Sequence, residues 1–276
     1  MSKQIRNNEK SKIRGIVDVL EDNNISTPPL LYKYYAFNNF TQRIFKNNEI
    51  YFSSPESFND PFDSKIRLIY EGTRSDRKRF FREWSNRSYP DLPRKELLAR
   101  EKRILKQGLD QGIKEYAHKQ FMVHRGRMGV FSMTEDRENI LMWSHYAAEH
   151  TGFCIGFRTN NTFFSRARRV EYDKVLPCVN LLEAMWDELI TKGAFGLLTK
   201  ALDWSYEKEW RIVNINGVGI HKYPCEALSS VILGCKMSPE NSKRIKEWCN
   251  ASKIRHTLYE AKEKEHEFGL DIISLS

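Results

Sequence analysis

The 276-residue chain lacks most familiar chemical signatures. It has no G-x-G-x-x-G, no P-loop, no H-E-x-x-H and no G-x-S-x-G. The common nucleotide folds, the zincins and the serine hydrolases therefore have no support in the sequence. No apolar run approaches the roughly 20 residues that cross a bilayer. The first ten residues, MSKQIRNNEK, lack the apolar centre of a secretory signal. The reading is a cytoplasmic protein with no membrane partner. Cysteine is sparse: Cys154, Cys178, Cys225, Cys235 and Cys249 are odd in number, widely spread and without C-x-x-C spacing. That pattern supports neither a disulfide framework nor a zinc ribbon, and buried, reduced thiols are expected. Repeats, low-complexity tracts and heptads are absent as well.

What remains describes a globular protein. Hydrophobic residues make up 40%, with 16 Phe, 12 Tyr and 6 Trp, enough to build a core. The net charge is +9, unevenly spread. Between Arg74 and Lys106, 12 Arg or Lys face 5 Asp or Glu, so this segment alone carries +7. Such a patch suggests a polyanion, and Phe80, Phe81, Trp84 and Tyr89 interleave with the charge as single-strand binders require. The plainer reading is the solvated face of helices.

The chain is organised around Val130–Phe157. Val130–Met133 reads as a buried strand, Thr134–Asp136 as turn and N-cap, Glu138–His150 as a helix of about three turns, and Phe153–Phe157 as a second buried strand. Before it, Lys10–Leu20 reads as a helix within an arm over residues 1–29. Leu30–Phe37 reads as an aromatic strand, Asn39–Lys46 as a short helix and Ile50–Ser53 as a strand. Ser54–Asp63 is a turn-rich loop, and 64–70 extends the sheet. Residues 74–122 read as a helical insertion broken near Tyr89–Pro93. After the centre, strands are expected at Arg169–Tyr172, Glu207–Asn214, Leu228–Leu233 and His256–Ala261, the last of them. Helices are expected at Leu181–Ala201 and from Pro239 to Asn250, followed by a charged and then apolar tail. Strands and helices do not alternate strictly. The class is α+β: a mixed, mostly antiparallel sheet core with flanking helices and a helical insertion, one domain over 30–276.

Three polar constellations carry the candidate chemistry. In Ser57–Asp63, Asn59, Asp60 and Asp63 suit a ligand or cation, or simply Asx turns. In the second, Thr134–Asp136 precedes Trp143, His145 and Tyr146. His145 is read at the edge of the apolar face, as base, ligand or structural hydrogen bonder, and Trp143 and Tyr146 as core or pocket wall. In the third, Tyr206–Arg211, strand alternation puts Glu207, Glu209 and Arg211 on one face. The aromatic surroundings there demand a reason for a carboxylate.

Taken together, LYKYYAF, IYFSSPESFNDPFD, VFSMTEDRENILMWSHYAAEHTGFCIGF and YEKEWRIV resemble the prokaryotic family known as domain of unknown function 2971 (DUF2971), over roughly Leu30–Leu233. That resemblance implies no established activity. The family's members are bacterial, archaeal and phage-related, some resembling genes of defence islands, which implies an antiphage or stress setting and a defence partner protein. A second, weaker resemblance is to ADP-ribosyltransferases. It rests on the strand–helix–strand opening Leu31–Ser54 and a later Glu-x-Glu at a strand entrance. It implies NAD as the bound cofactor, with Tyr32 or Lys33 and Ser53 or Ser54 holding it. Glu209 would stabilise the oxocarbenium-like transition state and Glu207 would assist the acceptor. The sequence departs from that pattern in having no His on the first strand and a Ser-Ser pair in place of Ser-Thr-Ser.

Three functions follow as expectations. The first is an ADP-ribosyl-transfer-like enzyme acting on nucleic acid or protein. Its catalytic set is Glu209, Glu207 and His145. Its binding set is Tyr32, Lys33, Ser53, Ser54, Asn59, Asp60, Trp143, Tyr146 and Arg211. No structural metal is expected for it. The second is a metal-dependent nuclease or phosphoesterase using Asp60, Asp63, Glu135, Asp136 and Glu209 on Mg²⁺. The third is a non-catalytic module that senses a nucleotide or nucleic acid.

Overall fold

Strand β1 (Leu30–Tyr35) lies near the middle of an eight-stranded sheet and alternates cleanly between its two faces. The computed structural model describes residues 26–275 apart from 108–109, 183–195, 216 and 252–255. The helix expected at Lys10–Leu20 lies outside those residues. After β1 come α1 (Gln42–Asn47) and β2 (Glu49–Phe52), then β3 (Arg67–Ile69). The insertion follows as α2 (Arg74–Ser88), α3 (Arg94–Gln107) and α4 (Asp110–Arg127). The centre is β4 (Gly129–Thr134), α5 (Ile140–Tyr146) and β5 (Phe153–Arg158). Short strands β6 (Arg168–Arg169), β7 (Glu171–Asp173), β8 (Cys178–Asn180) and β9 (Thr199–Ala201) lead to β10 (Glu209–Asn214). The chain closes with β11 (Gly219–Lys222), β12 (Leu228–Leu233), α6 (Pro239–Ala251), β13 (Thr257–Glu263) and β14 (Leu270–Ser274).

The large sheet has the order β14-β13-β12-β5-β1-β4-β10-β6. Only β12 and β13 run parallel, so the sheet is mixed and mostly antiparallel, with helices against it. Register sorts its side chains. Leu31 faces Phe157 and Tyr35 faces Phe153 across β1–β5, and Trp210 faces Met133 across β10–β4. These residues form one core with Ile44 and Phe45 of α1 and Ile245 and Trp248 of α6. On the opposite face, Tyr32 and Tyr34 pack with Met142 and Trp143 of α5. Gly156 is required there, because a Cβ would sit 2.9 Å from the Tyr32 ring and 2.4 Å from Ser230 Oγ.

Helix α5 is shorter than the sequence suggests. Its cap is Asn139, whose side chain accepts from Leu141 N and Met142 N, and Ala148, Glu149 and His150 then adopt positive φ of 47, 54 and 70°. That left-handed turn stops the helix where a continuous pattern predicted three turns. Other boundaries also differ. The residues expected to end a helix at Ala201 form β9, because Lys200 pairs with Tyr172 of β7 while Leu197 and Leu198 are buried. Segment 64–70 does not join the main sheet, since β3 pairs with β8. The last strand is β14, formed when the tail folds back on β13 through the turn before Gly269. All five cysteines are free, but Cys178 and Cys225 are exposed rather than buried.

Phe80, Phe81, Trp84, Ile104 and Phe121 of the insertion form a second core together with Val179, Leu181 and Leu182. Phe80, Phe81 and Trp84, read in the sequence as candidates to stack bases, are therefore turned inward. Tyr89, half-buried, lies edge-on to Trp84. Among the described residues no helix is long and apolar enough to cross a membrane.

Candidate functional site

Strands β1 and β4 meet at a single pair, Tyr32 with Thr134. Further along, β4 is bridged by Ser53, which exchanges both backbone bonds with Val130 at 2.9 Å. Between these points the sheet is open. Lys33 spans the opening: its Nζ donates to the Ser132 carbonyl at 2.7 Å and lies 4.7 Å from the Phe131 ring. Burial pushes this ammonium down to about 8. Over the opening lies a cavity of about 380 Å³, within the range of small-molecule sites. Tyr32, Lys33, Ser53, Asn59, His145, Tyr146, Glu207, Glu209 and Arg211 all line it, with Asp63 and Lys200.

One wall is a buried ionic cluster assembled from four segments. Trp210 and Ile212 of β10 point into the core, so Glu209 and Arg211 must point the other way. Arg211 binds Glu209 through Nε (2.7 Å) and Nη2 (2.8 Å). It binds Asp63 through Nη1 (2.9 Å) and Nη2 (2.7 Å), and Nη1 also donates to the Leu197 carbonyl at 2.8 Å. All five of its N–H groups are thereby used. Lys200 donates to Glu207 and, at 3.2 Å, to Glu209, and lies 3.6 Å from Asp63. Glu207 is not on the strand. It closes a 3-10 turn, Leu202–Glu207, and Lys208 with φ 45° turns the chain into β10. Tyr146 OH donates to the free side of Glu207 at 2.7 Å. Tyr172 OH accepts the Glu209 N–H at 2.8 Å.

The two glutamates are pushed apart in proton affinity. Burial works to raise Glu209, but Arg211 and Lys200 hold it down at about 2. Burial raises Glu207 above the ordinary carboxylate value, and the neighbouring Glu209 adds to this against the pull of Lys200. Burial disfavours the charge on Lys200 too, yet Glu209 and Glu207 leave it raised overall. Arg211 makes the difference, since it bonds Glu209 and not Glu207. Three carboxylates (Asp63, Glu207, Glu209) meet two cations (Lys200, Arg211) in ion-pair contact among the described residues. Within this set carboxylates outnumber cations by one, and Glu207 is the one that Arg211 does not reach, held instead by Lys200 and Tyr146. The Tyr146 phenol is raised in turn, by burial and by Glu207.

Several expected site residues fall elsewhere. Trp143 is fully buried, edge-on to Tyr34 at 5.1 Å, with Nε1 donating to the Arg137 carbonyl. It is core, not ring platform. Ser54 caps a 3-10 turn by accepting from Glu56 N, and donates to the Gly126 carbonyl. Asp60 forms an Asx turn with Phe62 N at 2.8 Å and stays off the cavity wall, while its neighbours Asn59 and Asp63 reach it. His145 does line the cavity, but as an exposed residue at its rim. Arg211 lines the cavity with its donors already committed.

The five carboxylates of the metal reading do not gather. Asp60 is in its turn, Glu135 accepts from Trp210 Nε1 at 2.6 Å, and Asp136 accepts from Lys208 at 3.1 Å. Asp63 and Glu209 meet around a guanidinium instead. Among the described residues no group of three or more His, Cys, Asp or Glu is arranged to hold a metal. The residue that sequence reasoning missed is Lys200. A lysine within the apolar run GLLTKAL was the available signal, since such a charge needs a buried partner.

Residues 142–212 match the model of the family described as "Protein of unknown function (DUF2971)". Every member of the ionic cluster except Asp63 lies within that segment, as does Tyr146. No curated protein and no solved structure matches the chain.

Proposed function

From a chain whose central segment is of the DUF2971 family, we propose an enzyme that breaks an N-glycosidic bond in a nucleotide such as NAD, with Glu207 as the reacting carboxylate. The observation that carries this reading is that Glu207, of the three carboxylates lining the cavity, is the one that Arg211 does not bond. Breaking such a bond develops positive charge at the anomeric carbon, and a pre-placed carboxylate in a site of low dielectric stabilises it. The roles first assigned to the two glutamates are therefore exchanged. Glu209 is neutralised on both oxygens and acts as a positioning residue. Lys200 and Tyr146 hold the Glu207 carboxylate towards the cavity.

The lining suits the nicotinamide-riboside end of NAD. Tyr32 and Tyr146 offer flat walls, Ser53 and Asn59 offer hydroxyl and amide groups, and His145 stands at the mouth. NAD supplies a ribosyl group with a leaving nicotinamide; the chain supplies the charge opposite it and the walls that orient it. The acceptor, water or a macromolecule, is left to experiment. Purified protein is assayed for NAD loss and for label transfer to mixed RNA, DNA and protein. Glu207→Gln lowers kcat at least about 100-fold, Tyr146→Phe lowers it less, and chelator changes nothing. Wild-type turnover by Glu207→Gln would sink the assignment.

A second reading, a non-catalytic nucleotide-sensing module, draws on a different observation. Arg211 and Glu209 are saturated by protein partners, as in a purely structural pin. On that reading NAD or a related nucleotide raises Tm with no turnover, and Glu207→Gln leaves the shift unchanged.

A further inference from the structure

The helical insertion is not absorbed by the cavity chemistry, and its charge has a definite arrangement. Arg74, Lys78 and Arg82 recur every four residues along α2, all exposed. Lys95, Lys102 and Lys106 recur at seven and four along α3, all exposed. Those spacings place each trio along one side of its helix. Phe80 and Trp84 of α2 and Ile104 of α3 turn away from the trios into a buried core, while buried Phe81 sits beside Lys78. Among the described residues the carboxylate within ion-pair distance of these trios is the buried Glu101, 3.9 Å from Arg82, whose side chain stays 61% exposed. A buried aromatic layer beneath two exposed cationic stripes can bind phosphates but cannot stack bases.

We infer that the outer faces of α2 and α3 dock the phosphate backbone of a nucleic-acid duplex, without reading its sequence. This surface is independent of the reaction proposed for the cavity. A duplex suits it better than a single strand, because its charge density is higher and the groups that would favour unpaired bases are turned inward.

The test uses the full chain and labelled 30-mers: two unrelated DNA duplexes, and single strands of DNA and RNA. Affinity is measured across a salt series. One variant replaces the six stripe residues with Gln. A control replaces Lys222, Lys236, Lys243, Lys246, Lys262 and Lys264, removing the same charge from other exposed positions. Wild type and control should bind both duplexes equally, with a steep salt dependence. The stripe variant should lose at least tenfold in affinity, its slope falling by about 0.9 per phosphate contact removed. Lysine acylation of wild-type protein, read by mass spectrometry, should show Lys78, Lys95, Lys102 and Lys106 protected by duplex, which stands even if the variant misfolds. Equal losses in both variants, no loss in the stripe variant, absence of binding at 50 mM salt, or a preference for single strands would each overturn the inference.

Discussion

Arg211 spends all five N–H groups inside the protein, two of them on each of two carboxylates and one on a carbonyl. Lysine at that position carries the same charge but not the fork, so Arg211→Lys strands oxygens of Asp63 and Glu209 in a buried place. The expected loss is about 3 kcal/mol of unfolding free energy, measured by urea titration. The same pin sets an acid dependence. Glu209 is held at about 2 against an ordinary value of 4.5, so its contribution is complete above 4.5 and is lost as pH falls towards 2. Glu207 is shifted the other way, so protonating it relieves a cost just above the ordinary value. Stability followed against pH should hold or rise slightly as pH drops to about 4.5, then fall steeply. In Glu209→Gln the steep fall should be missing.

At the scale of elements, α5 couples fold to site through its cap. Asn139 accepts from Leu141 N at 2.9 Å and Met142 N at 3.3 Å, and its amide donates to the Tyr206 carbonyl at 3.1 Å. One side chain thus ties the helix that carries Tyr146 to the turn that carries Glu207. Asn139→Ala should cost about 1 kcal/mol, a fall in Tm of roughly 2–4 °C. Activity at the cavity should fall further than that loss explains. The elements most legible in the sequence were those with strong period and clear ends, β1, β4, β5, β10 and β12. What failed was decided by distant pairing. Residues 199–201 become a strand because Glu171–Asp173 lies beside them, and the tail becomes β14 because β13 offers an edge. Nor does local pattern announce three successive left-handed residues after α5.

Across the whole molecule, the sheet separates two kinds of work. One face is closed by α1 and α6 over an apolar core, and the other carries the ionic cluster and the cavity, with the insertion packed on a second core that it shares with Val179, Leu181 and Leu182. The constellations around residues 57–63, 143–146 and 206–211 were visible in the sequence and do meet, through Asn59 and Asp63, His145 and Tyr146, and Glu207, Glu209 and Arg211. Their division of labour was not visible. Strand alternation put Glu207 and Glu209 on one face of a single strand, whereas the turn at Lys208 and the hidden partner Lys200 give them different surroundings. Equilibrium binding of NAD to the Glu207→Gln protein, followed by calorimetry, tests the central claim most directly. Binding should be saturable there, and should vanish when Asn59→Trp is added to fill the exposed rim of the cavity without changing Tm. Absence of saturable binding, or undiminished binding with the rim filled, would contradict a nucleotide site on this wall.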